Sequence, residues 1–406
     1  MKAYRIGTHR TVSPEQTLER IRPFFAAMGI TRLANVTGLD EIGIPVVTAC
    51  RPNAKAVAVS QGKGISLEAA KASAAMEAIE TYHAEHIDLS VKYISYQELA
   101  CSYSVVDVAL LPQVDVLPFC PNSRRLWIEG CRLQSGESQY IPYDLVHCDF
   151  TLPLPPGSGS FQISTNGLAS GNTKDEAISH GLCEVIERDA MALWSLMPKD
   201  KQAKQKVDLS SISDPTIQAL IKQIEQADVM VSIWNVTSDI GTPTFLCRII
   251  NARENQLRPL YSMAGSGTHP DKHVALLRAM TEAVQARLTL ISGSRDDISV
   301  SKYEARQQLE RQRHIRNELM KASGYVDFNT LPSWDNDTLG EDLLLLSSQL
   351  EQQNLPSPIV VDLTKPEFNI PVVRVIAPGL EGLHDAPGYI LGRRGRNFIL
   401  SYKELA

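Results

Sequence analysis

The chain has 406 residues, 43% of them hydrophobic and 21% charged, with 46 Asp and Glu against 40 Lys and Arg for a formal net charge of −6. That length allows two or three subdomains or one large domain, and the acidic balance speaks against a dedicated nucleic-acid surface, the run Arg393-Arg394-Gly395-Arg396 notwithstanding. No apolar run nears the ~18 residues that cross a bilayer, and the first ten residues hold no signal core, so the expected location is the cytoplasm, with no membrane partner.

In chain order, Ser13 before Pro14 starts a short helix reaching about Met28, followed by strands at Ile44 to Cys50 and Ala56 to Ser60. Gly62-Lys63-Gly64 reads as a turn, and Ser66 caps a long helix to about His86. Strands are expected at Arg125 to Glu129 and Tyr140 to Leu145, and the Pro, Gly and Ser-rich stretch from Leu152 to Ser160 reads as a site loop. Thr173-Lys174-Asp175-Glu176 fits a capping box and opens a second long helix to about Leu196. A helix at Ile212 to Gln226 and strands at Val229 to Trp234 and Thr244 to Asn251 follow. Arg258 to Met263 is expected as a strand, Ala264 to Pro270 as a loop, and Asp271 to about Leu290 as a third long helix. Tyr303 to Ala322 forms a very polar helix, on the surface or facing a partner, and Pro358 to Leu363 and Val372 to Ile376 are late strands. The alternation predicts an α/β or α+β fold.

Three helices carry polar stripes. At about 100° per residue, Ser73, Glu77 and Glu80 fall on one side of the first. Glu184, Glu187 and Arg188 do so on the second, and Arg278, Glu282 and Gln285 on the third. Alone, each stripe would be the solvated face of an amphipathic helix. Together, and each after a Gly-containing segment that follows a strand, they suggest anion binding at helix starts and carboxylate ligands for Mg²⁺, which would bridge nucleotide phosphates. No Walker loop or dinucleotide fingerprint is present.

Other constellations fall short. His83 and His86 sit near a helix C-terminus, where the dipole accounts for them, and no third zinc ligand is indicated. The seven scattered cysteines lack a C-x-x-C pair and read as reduced, mostly packed thiols. His269, before Pro270, is either a site histidine or a turn residue.

Several segments resemble the YcaO family: Gln61 to Gly64 with Ala72 to Glu80, Ser164 to Thr173 with Glu184 to Asp189, and Leu277 to Arg287 with Ser292 to Asp297. Gly7-Thr8-His9-Arg10 and Val372 to Glu381 are similar to the branch found beside TfuA-like partners. The resemblance implies one YcaO-like domain over residues 1–406, with its motifs in 60–300 and residues 301–406 completing it. It implies a non-Walker ATP site, with Glu80, Glu184 and Glu187 as Mg²⁺ ligands and Lys63, Ser73, Glu77, Arg188, Glu282 and Gln285 at the nucleotide. Arg188 and His269 are candidate catalytic groups, and Arg287 and Arg295 are alternative phosphate cations, since Arg287 lies about 160° around the helix from Gln285. One departure is Thr81, where many members carry arginine.

The family reaction is ATP-dependent modification of a peptide backbone amide. An external sulfide gives a thioamide, and a neighbouring Cys, Ser or Thr gives an azoline. Azoline-forming members often end in a proline-rich tail, whereas this sequence ends Tyr402 to Ala406, and with the branch resemblance this favours a thioamide. The implied partners are a peptide or protein substrate, a TfuA-like sulfur-delivery protein and a second copy of the chain. The competing readings are an azoline-forming cyclodehydratase and a non-catalytic ATP-binding accessory protein.

Overall fold

The computed structural model describes residues 1–253, 262–295, 309–321 and 324–403. A first sheet, in the order β1 (Arg32–Asn35), β2 (Val46–Cys50), β3 (Val59–Lys63), lies against the first long helix. A second runs β4 (Val91–Ser95), β6 (Arg124–Arg132), β12 (Ile359–Asp362), β13 (Val372–Ile376), β8 (Leu168–Ser170), with β7 (Ser138–Pro142) also paired to β6. A third runs β11 (Met263–Thr268), β10 (Thr244–Asn251), β9 (Val229–Asn235), and β5 (Gln113–Val114) pairs with β14 (Tyr389–Ile390). Every pairing between these strands is antiparallel, so the class is α+β.

The helices among the described residues are α1 (Pro14–Ile21), α2 (Leu67–Glu85), α3 (Tyr96–Ala100), α4 (Lys174–Leu196), α5 (Lys199–Lys204), α6 (Pro215–Gln226), α7 (Lys272–Ser292), α8 (Leu309–Lys321), α9 (Leu339–Gln352) and α10 (Arg393–Lys403). Ser66, Thr173 and Asp271 cap α2, α4 and α7 by accepting from the N–H groups of Ala69, Glu176 and His273. One core joins α2 to the first two sheets through Val47, Ala75, Ile79, Ile128 and Val372. A second joins α6 and α7 to the third sheet through Ile221, Phe245, Ile249, Met280 and Val284. A third packs α4 and α9 on β13 through Leu182, Ile186, Leu346 and Val375.

Two expected turns are strands. Gly62 lies inside β3 and Gly265-Ser266-Gly267 inside β11. A Cβ at Gly62 would stand 2.1 Å from Ala74 N, and one at Gly265 2.3 Å from Ala283 N. These glycines therefore let α2 and α7 lie directly on the strand backbone, a demand that local composition does not distinguish from a turn. Of the expected strand at Arg258 to Met263, positions 258–261 lie outside the described residues, as does part of the Tyr303 to Ala322 helix. The basic run near the end is partly spent on structure: Arg394 Nε bonds both oxygens of Asp189 at 2.9 Å, and its Nη1 reaches Asp239 at 3.1 Å.

Candidate nucleotide and metal site

The three polar stripes meet. A cavity of about 1290 Å³ is lined by Lys63 at the end of β3, Ser73, Glu77 and Glu80 from α2, Glu184, Glu187 and Arg188 from α4, Glu282 and Gln285 from α7, and Arg295 just beyond it. Helical spacing of three and four residues puts each set on one face, and the strand glycines bring the helices close enough for the faces to converge.

Neighbouring backbone and hydroxyls hold Glu77, Glu80, Glu187 and Glu282. Glu80 Oε1 accepts from Ser170 N–H at 2.8 Å and Ser170 Oγ at 2.6 Å. Glu77 accepts from Gln61 N–H at 3.3 Å, and Glu187 accepts from Ser266 Oγ at 2.7 Å. Glu282 pairs with Lys63 and accepts from Ser266 N–H at 3.3 Å, while Arg188 stands 3.7 Å from both Glu184 and Glu187. Gln285 Nε2 donates to Gln61 O at 3.0 Å, and its Oε1 is buried without a hydrogen-bond partner.

Burial pushes Glu80 up to about 8, aided by Glu77 and Glu184, and pushes Glu77 up to about 7 against the pull of Lys63 and Arg295. Burial also raises Glu184, with Arg188 opposing it. Burial works against the Arg188 guanidinium, but the carboxylates of Glu187, Glu184 and Glu282 hold its proton more tightly than usual. Desolvated carboxylates crowded at one wall are costly without a cation, and carboxylate oxygens suit a hard divalent ion. The residues present thus fit Mg²⁺, with Glu80, Glu184 and Glu187 as the candidate ligands.

Two sequence candidates fall elsewhere. Arg287 Nε and Nη2 bond Asp40 at 2.8 and 3.1 Å, and its Nη1 bonds Asn251 at 2.6 Å, in a buried pair away from the cavity. Of the two alternative arginines, Arg295 is the one that lines the cavity. His269 is also off the cavity: its Nδ1 accepts from Asp271 N–H at 2.9 Å, so it is a turn residue at the start of α7, and burial holds it well below the usual imidazole range.

Several neighbours of the site went unassigned in the sequence reading. His180, one turn before Glu184, lines the cavity and bonds Arg278 at 2.8 Å. Its spacing on the α4 stripe was a usable signal. Arg374 is wholly buried on β13, and its guanidinium reaches Val146 O, Ser164 O and Asn166 O at 2.9, 2.9 and 2.8 Å, pinning the segment before β8. Outside the cavity, His9, Asp271 and Asp335 bring three donor atoms within 4.8 Å. Lys2 Nζ lies 3.4 Å from His9 Nδ1 and Arg5 pairs with Asp335, so the chain's own cations serve that group.

An α+β protein whose sheet-backed helices turn carboxylates and cations into one cavity, with no Walker loop, defines the class. The chain belongs to the YcaO family: the profile described as YcaO cyclodehydratase, ATP- and Mg²⁺-binding, matches residues 61–381. ATP and Mg²⁺ are its cofactors, and the family is one of ATP-dependent enzymes. The chain is 37% identical over 399 residues to an uncharacterized protein in the tfuA 3′ region of Rhizobium leguminosarum bv. trifolii, covering 96% of this chain and 93% of that one. That likeness is consistent with the TfuA-associated branch. An uncharacterized protein of Methanothermobacter thermautotrophicus is 35% identical over 397 residues, covering 96% of this chain and 99% of that one. The fold is that of YcaO from Methanopyrus kandleri bound with AMPPCP and Mg²⁺, with TM-score 0.76, 22% identity, and coverage of 97% of this chain and 98% of that one. A heterocyclase in complex with substrate and cofactor gives TM-score 0.75 at 23% identity over 92% of this chain, which spans 53% of that longer chain. Among the described residues no helix is long and apolar enough to cross a membrane.

Proposed function

We propose that the chain activates a peptide backbone amide with ATP and replaces its oxygen with sulfur from an external donor, giving a thioamide. The observation that carries the ATP-dependent part is the convergence of Glu80, Glu184, Glu187 and Arg188 at one wall of a cavity shared with Ser73, Glu77 and Gln285. Mg²⁺ held by Glu80, Glu184 and Glu187 would offset charge on the phosphates. Lys63, Ser73, Glu77, Glu282, Gln285 and Arg188 hold and orient the nucleotide, with Arg295 as a further cation at the phosphates. The rest of the cavity receives the peptide.

The likeness to a protein from the tfuA 3′ region supports the thioamide product and a TfuA-like partner that brings the sulfur. No cysteine is among the residues lining the cavity, so the described chain offers no thiol of its own to carry sulfur there. The substrate is a peptide or protein segment, and the working unit is a homodimer. A second reading, azoline formation on a Cys, Ser or Thr of the substrate, has the heterocyclase likeness in its favour. Incubation with candidate peptides, Mg²⁺, ATP and sulfide tests both. The thioamide reading expects phosphate release and a product heavier by sulfur minus oxygen; a product lighter by one water replaces it with the azoline reading. Nucleotide binding with no phosphate release under any peptide and sulfide condition would leave an accessory role.

A further inference from the structure

Arg278 sits on α7 one turn before Glu282, and His180 sits on α4 one turn before Glu184; both line the cavity. Arg278 Nη2 bonds His180 Nε2 at 2.8 Å. Because the guanidinium can only donate, Nε2 accepts, and the ring proton is assigned to Nδ1, which is buried without a partner. Burial, then the charges of Arg278, Arg10 and Lys63, holds His180 well below the usual imidazole range, so the ring stays neutral.

This pairing differs from those of the neighbouring cations. Lys63 is matched by Glu282, Arg188 by Glu184 and Glu187, and Arg10 by Glu176. Among the described residues no carboxylate forms an ion pair with Arg278. A neutral imidazole orients the guanidinium without offsetting its charge, so the full charge faces the cavity. Arg278 shares that cavity with the candidate metal ligands Glu80, Glu184 and Glu187.

We propose that Arg278 is a catalytic residue that meets the charge on the oxygen passing from the amide carbon to the γ-phosphorus, and that His180 is its positioning residue. The inference rests on the ATP-dependent reading above. In that reaction hydrosulfide adds to the carbonyl carbon and the C=O π pair moves to oxygen. The oxyanion attacks the γ-phosphorus as the P–O bond to ADP breaks. The C–O bond then breaks, phosphate leaves with the electron pair and takes up the proton of the former hydrosulfide, and the C=S bond remains. Charge on the moving oxygen and the phosphoryl oxygens peaks partway through. A fixed cation there acts on the transition state more than on bound nucleotide.

The test compares binding of Mg²⁺–ADP with Mg²⁺–ADP–aluminium fluoride, a mimic of the phosphoryl group in transfer, by calorimetry. Arg278→Gln is expected to bind ADP within about twofold of the unaltered chain and to lose at least about tenfold in affinity for the aluminium fluoride complex. Arg278→Lys, which keeps the charge, and His180→Gln, which keeps a neutral acceptor, should retain most of the preference. His180→Glu, which pairs the guanidinium with a carboxylate, should lose it as Arg278→Gln does, with an unchanged thermal midpoint before ligand as the folding control. Equal losses for both ligands in Arg278→Gln, or a His180→Glu chain that keeps the preference, overturns the proposal. An unaltered chain that binds ADP without preferring the aluminium fluoride complex also overturns it, whereas one that binds neither ligand overturns the ATP-dependent reading as well.

Discussion

Glu80 on α2 and Ser170 on β8 are joined twice, by the serine N–H at 2.8 Å and its hydroxyl at 2.6 Å, both donating to one carboxylate oxygen. A candidate metal ligand is thereby held by an edge strand 90 residues away in sequence.

That carboxylate makes stability depend on pH. Burial raises Glu80 to about 8 and Glu77 to about 7 from an ordinary value of 4.5. Between the unfolded and folded values the folded chain holds protons that the unfolded chain has released, so stability is greatest below about pH 4.5 for these groups and falls as pH rises toward 8. In EDTA, the thermal midpoint contribution of this pair should decline from about pH 5 to about pH 8, and Glu80→Gln should flatten the slope. A slope identical in the variant would refute the assignment. Mg²⁺ needs the ionised carboxylates, so its binding should release protons and tighten with rising pH.

Glu187→Gln keeps an acceptor for Ser266 Oγ but removes a charge from the metal wall. Mg²⁺-dependent ATP binding and turnover should be lost while the nucleotide-free chain melts no lower than the unaltered one. Unchanged turnover would remove Glu187 from the site.

Gly62→Ala places a methyl carbon against backbone, 2.1 Å from Ala74 N and 2.2 Å from Ala70 O, with no flexible side-chain end to yield. The helix must lift off β3, at a cost of about 3 kcal/mol or more. Chemical denaturation measures it, and an unchanged midpoint would contradict the close approach.

Arg287→Gln breaks a pair whose partner, the Asp40 side chain, is 3% exposed. A loss of about 3–5 kcal/mol is expected, with nucleotide affinity of the folded fraction preserved. Lost nucleotide affinity at full stability would return Arg287 to the site.

The stripes on α2, α4 and α7 were legible because helical periodicity is local: Ser73, Glu77 and Glu80 share a face whatever surrounds them. Their shared Gly-containing context suggested Mg²⁺ and phosphate, and the division of roles among the residues came from the family resemblance. The roles of Arg287 and His269 were not legible for a different reason. Asp40 lies 247 residues from Arg287, and a single sequence carries no mark of that pairing. His269 and His180 both precede helix residues of interest, and only the fold turns one to the cavity and the other to a backbone N–H. The glycines misled because a tight turn and a close helix approach make the same demand, the absence of a Cβ.

Arg374 and β13 bear on the order of events during synthesis. Every residue of the three stripes has been made by position 285, but among the described residues β8 pairs only with β13, and the carbonyls of Ser164 and Asn166 are held by Arg374. A nascent chain halted near residue 300 would carry the candidate ligands without the wall that sets them. Long-range pairing of this kind is slow and leaves edges open until it closes, so the site should be completed only once residues 372–376 have been made and have paired.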